Sequence, residues 1–200
     1  YQPDGVWEAV AMIGSNTRDY RRDTGENLYR RSLYTFIKRS APPASMEIFN
    51  ATARETCTVR RERTNTPLQA LVTLNDVQFI EAARHLAQSV LLSKSDEKTP
   101  HPNPLPAGPG RGDNADDVTT ARLNLLAKRL LARPFRESEL PVVKNSLAEL
   151  TAYYRDHEAD AKALIATGES KPDATLDPKT LAAWTMLANE VMNLDEVLNK

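Results

Sequence analysis

Asp177 to Leu198 reads DPKTLAAWTMLANEVMNLDEVL. An Asp at the N-cap accepts from the free amides of a first turn, and a Pro at N1 lacks an amide that no helix would use there. Behind that start, Trp184, Leu187, Val191, Leu194 and Leu198 recur at steps of 3, 4, 3 and 4, one face of an α-helix. The same rhythm appears upstream in Leu140, Val143, Leu147, Leu150 and Tyr154. A third helix carries Leu123, Leu126, Ala127, Leu130 and Leu131, capped by Asp116 or Asp117 and broken at Pro134. Thr66-Pro67 repeats the cap-and-proline start for a helix over Leu68–Leu74. Asn75-Asp76 then stops that helix and caps another, which presents Phe79, Ala83, Leu86 and Val90. No segment after residue 65 alternates with period two. The expected fold is mainly α: a helical bundle over 66–200 carrying an irregular, Arg- and aromatic-rich N-terminal segment.

That segment, 1–65, is expected to pack on the bundle as the C-terminal part of a larger domain. Val6–Ile13 is a short helix candidate, and Asn27–Lys38 has helical spacing ended by Pro42-Pro43. The chain opens at Tyr1 without an initiator Met or a targeting signal, so it reads as starting mid-protein. Eight of the 20 Gly and Pro residues fall in Pro100–Gly112 (PHPNPLPAGPGRG), which predicts a disordered loop over about 95–115. The loop resembles peptides translated from short interspersed repeats of bacterial genomes, which implies a functionless insertion.

The formal net charge of −1 hides a division. Residues 1–65 carry eleven basic and eight acidic side chains, whereas 66–200 carry fifteen and nineteen. Acidic residues are interleaved with the arginines, so no basic stripe forms and no nucleic-acid partner is expected. The longest apolar run, Ala9–Ile13, is far below the roughly 20 residues of a membrane span. The single cysteine, Cys57, excludes an internal disulfide and any CxxC zinc or CxxCH haem site. Its thiol is expected to be buried and inert. His85, His101 and His157 are scattered and form no metal-ligand pattern.

Two clusters are candidate binding or interface residues. Arg54, Glu55, Arg60, Arg61, Glu62, Arg63 and Asn65 lie within twelve positions. Either they clamp an anion, or they form a partly buried ion-pair network that fixes the segment to the helices. The network is preferred, because buried charges survive only when paired. Tyr29, Arg30 and Tyr34, with Arg31 and Arg39, suggest a platform for stacking a sugar or base, against the plainer reading of tyrosines at a core edge. Neither cluster supplies a catalytic pattern.

The run LYRRSLYTFIKRSAPPASMEIFNATARETCTVRRERTNTPLQALVTLNDVQFIEAARHLA (Leu28–Ala87) resembles a C-terminal domain of unknown function found in planctomycete multidomain proteins. YQPDGVWEAV, LARPFRESEL and GESKPDATLDPKTLAAWTMLANEVMNLDEVL extend the resemblance. It implies an exported protein, periplasmic or at the cell surface, with a cytochrome c domain and a second uncharacterised domain upstream. Any haem would then be bound there, with no cofactor in this chain, and the resemblance carries over no catalytic residue. The expected role is a packing and interaction module against the upstream domains, non-enzymatic by itself. The rival readings are an extracellular enzyme acting on polysaccharide through Glu55 and Glu62, or a carbohydrate-binding protein using Tyr29, Tyr34 or Trp7.

Overall fold

The computed structural model describes residues 4–52, 55–60, 62–93 and 115–198. Arg54, Arg61, His101 and the Pro/Gly-rich stretch lie outside them. The fold is mainly α. Among the described residues there is no β-strand, only an isolated antiparallel bridge between Lys38 and Ala41.

Three helix starts match their sequence signals. Helix α3 (Pro67–Asn75) opens on a capping box: Thr66 Oγ1 accepts from Gln69 N at 3.3 Å, and Gln69 Oε1 accepts from Thr66 N at 3.1 Å. Asp76 then both ends α3 and caps α4 (Val77–Leu92), its carboxylate accepting from Gln78 N at 2.8 Å. Asp177 caps α8 (Pro178–Met192), accepting from the amide of Thr180 at 2.9 Å and from its hydroxyl at 2.7 Å.

Helix α8 is the axle of the bundle. Nine of its fifteen residues are buried. It packs most extensively on α4, then on α6 (Leu140–Asp156) and α7 (Glu158–Ile165). Trp184, Leu187 and Val191 meet Ala83, Ala87 and Val90 of α4 and Leu123 and Leu126 of α5 (Ala115–Leu131) in one continuous core. Each fully buried Leu contributes about 1.5–3 kcal/mol of hydrophobic stabilisation. Asp116 and Asp117 lie inside the first turn of α5, where acidic charge complements the helix dipole.

Elsewhere the elements differ from the sequence expectation. The last helical face is not continuous: α8 ends at Met192, Asn193 closes it, and a separate turn, α9 (Asp195–Leu198), follows. Helix α7 carries no start signal in the sequence, since His157 rather than Pro or Gly separates it from α6. Upstream, α1 is only Val6–Ala9, and α2 is Ala44–Ile48. Residues 27–38 form no α-helix. They fold as two 3₁₀ turns, Gly25–Tyr29 and Ser32–Tyr34, parted by extended Arg30 (ψ 144°) and Arg31 (ψ 149°). Their apolar residues Leu33 and Phe36 stay exposed, so no packing surface rewards a helix there.

Candidate functional site

The irregular segment forms a half-open cavity of about 540 Å³ against α2 and the start of α4. One anchor fixes its wall. The buried Lys38 ammonium donates to the carbonyls of Trp7 at 3.0 Å and Thr17 at 2.9 Å, and sits 5.2 Å from the Trp7 ring centroid. Around that cation–π pair, Trp7 meets Tyr20 edge-on at 5.2 Å and Phe36 at 5.5 Å. Phe49 and Phe79 close the α4 side with centroids 5.8 Å apart. Six aromatic rings therefore line the cavity: Trp7, Tyr20, Tyr34, Phe36, Phe49 and Phe79. Its charged lining is Arg21, Arg22 and Arg30 against one carboxylate, Asp23.

Of the residues singled out in the sequence, Trp7, Arg30 and Tyr34 belong to this cavity. Tyr29 does not. Its hydroxyl donates to Glu81 Oε1 at 3.0 Å, tying the segment to α4. The described members of the Arg/Glu cluster do not form the partly buried network expected of them. Glu55, Arg60, Glu62 and Arg63 are all exposed, and Glu55 pairs across 3.3 Å with Arg39, which is also exposed. Nothing desolvates these charges, so nothing forces them to pair. Asn65 instead donates to Asp195 at 2.9 Å, and neither Glu55 nor Glu62 lines the cavity. Cys57, expected inside, is exposed. His157 closes α6, its Nδ1 2.9 Å from the carbonyl of Tyr153 and its ring stacked on that tyrosine at 4.2 Å.

The most constrained polar group of the molecule was not legible in the sequence. Arg84 on α4 is completely buried. Its guanidinium donates to the carbonyls of Ile165, Thr167 (3.1 Å) and Ser170 (2.7 Å), and lies 3.5 Å from the buried Glu81 carboxylate. Glu81 in turn accepts from the Ser170 amide at 2.7 Å, from the Ser170 hydroxyl and from Tyr29. Burial pushes the Glu81 carboxyl up, but the hydrogen bonds from Ser170 and Tyr29 and the charge of Arg84 outweigh it and hold it below the ordinary carboxylate value. Gly168 makes the approach possible. At φ +98° it occupies the left-handed region, and a Cβ there would sit 2.5 Å from the Glu81 carboxyl carbon.

Ser170 Oγ also lies 2.7 Å from His85 Nε2 and 2.5 Å from Arg84. With Glu81, Arg84 and His85 all in reach, that hydroxyl is fully engaged. The cluster works as a clasp joining three parts of the chain. Only the Glu-x-x-Arg spacing on α4 could have signalled it, and that spacing is equally common on solvated helix faces.

Among the described residues, no group of three or more His, Cys, Asp or Glu side chains is placed to hold a metal ion, and no helix is long and apolar enough to cross a membrane. The model of the PSD1 family, proteins of unknown function (DUF1553), matches residues 2–147. The chain belongs to that family. The PSD1 match takes in the whole cavity and the Glu81–Arg84 pair, whereas Ser170 and helix α8 lie beyond it. Among curated proteins and solved structures nothing matches the chain.

Proposed function

We propose that this PSD1 chain is a packing and interaction module of a larger exported planctomycete protein. Its helical bundle serves as the scaffold, and the Arg- and aromatic-rich segment seats against a neighbouring domain of the same protein. One observation supports this reading above all. Among the described residues, ten of the fourteen exposed large apolar side chains fall within the first 71 positions. They include Met12 (82% exposed), Ile13 (98%) and Leu33 (71%). Exposed apolar side chains concentrated in this way support a binding face. Arg and aromatic residues are favoured at the centres of such faces. On this reading, any haem of the parent protein resides in another domain, and the chain works without a cofactor of its own outside the cytoplasm.

Size-exclusion chromatography with light scattering, run beside binding of a hydrophobic dye, tests the reading. The isolated chain should self-associate or bind dye, and Met12→Ser with Ile13→Ser should reduce both. A monodisperse monomer that binds no dye would defeat it.

A further inference from the structure

The geometry points to the cavity between the N-terminal segment and α4 as a binding site for a small ring compound carrying one carboxylate. Three features on its walls select that chemistry. Its volume of about 540 Å³ falls within the roughly 300–1,000 Å³ of small-molecule sites. Six aromatic rings line it, with Trp7 edge-on to Tyr20 at 5.2 Å and Phe49 tilted against Phe79 at 5.8 Å, which offers apolar ring surface to a flat or chair-shaped ring. The lining is also rich in donors and short of anions. Three guanidiniums face a single carboxylate, Asp23.

Arg22 already has a partner within the chain. The guanidiniums of Arg21 and Arg30 make no hydrogen bond or ion pair with a described residue, although each forms part of the wall. Donors without acceptors, set beside aromatic faces, fit a ligand that brings its own anionic oxygens on an apolar body. An arginine fork meets a carboxylate with two parallel hydrogen bonds. Aromatic acids and uronic acid sugars share that chemistry. The cavity shares Tyr34 and Phe36 with the exposed apolar face, but its arginines select the ligand, so a failure of carboxylate binding leaves the interaction reading untouched.

Isothermal titration calorimetry on the full chain separates the cases with four probes: benzoate, glucuronate and their uncharged counterparts benzyl alcohol and glucose. At least one carboxylate should give a saturable heat, and its neutral counterpart should give none. Saturation by benzoate alone identifies the site as one for aromatic acids, and by glucuronate alone as one for sugar acids. Arg30→Gln or Arg21→Gln should weaken the binding by about tenfold, the loss of one charge-assisted hydrogen bond. Both side chains are exposed and pair with no described residue, so helical circular dichroism should be unchanged in these variants. Arg155→Gln, on α6 away from the cavity, should bind as the parent does. The inference is overturned by a chain that binds neither carboxylate, by a neutral probe that binds as tightly as its acid, or by arginine variants with undiminished affinity.

Discussion

Arg84 carries a charge with no solvent contact, and its hydrogen bonds go to residues 165–170 and to Glu81. Replacing it with Met keeps the volume but leaves the Glu81 carboxylate buried without its counter-charge and strands the carbonyls of Ile165, Thr167 and Ser170. Breaking a buried pair on one side costs about 3–5 kcal/mol. Arg84→Met should lower the urea midpoint accordingly, followed through the fluorescence of the buried Trp184. Adding Glu81→Gln should recover part of the loss, because the two sites share partners. A loss below about 1 kcal/mol in the single variant would mean that the clasp is not held by its charges. At this scale the sequence is least transparent. Tyr29 and Arg30 are adjacent and look alike as surface residues, yet one is spent on Glu81 and the other lines the cavity. That division depends on contacts 52 and 89 positions apart, Tyr29 to Glu81 and Glu81 to Ser170, which no local pattern encodes.

Between elements, the tightest polar tie joins the turn after α5 to the end of the chain. Arg133 forks onto Glu139 at 2.8 and 3.0 Å and onto Glu196 at 2.7 and 3.0 Å, binding the entry of α6 to α9. Hydrogen bonds from Arg133 and from the Arg136 amide hold the Glu139 carboxyl at about 2, below its ordinary 4.5. A carboxyl whose folded value is depressed stabilises the native state above its unfolded value and loses that contribution as pH falls. Stability should therefore decline between pH about 4.5 and about 2, with Glu158, held at about 2 by Lys162 and Lys179, adding to the slope. Urea midpoints across that window check this. Glu139→Gln should flatten the decline, and added salt should shrink it, since these groups meet solvent. An unchanged slope in the variant would count against the tie. Elements were legible where a cap chemistry accompanied the apolar rhythm, as at Thr66-Pro67, Asp76 and Asp177-Pro178. They were not legible where rhythm stood alone: 27–38 had helical spacing with no surface to bury it, and α7 has only Ala161 and Ile165 buried and no stop signal before it.

Across the whole molecule, burial is divided unevenly. Within described residues 4–60 only Trp7, Lys38, Ala41 and Pro43 are buried, whereas α8 alone buries nine. Free energies of local opening follow that density. Native-state hydrogen exchange should find the slowest amides in α8 and α4 and the fastest in the N-terminal segment. Equal protection in both would contradict the division. The offset of a basic segment by an acidic bundle was visible in composition, but the exposure of that segment was not, because apolar spacing does not say whether a partner surface exists. The same openness leaves Cys57, the chain's only thiol, at the surface. A solitary thiol cannot close a bridge within its own chain, so in an oxidising medium it can join only to another molecule. Covalent pairing through Cys57 and association through the apolar face would both double the apparent mass, and a reducing agent or Cys57→Ser tells one from the other.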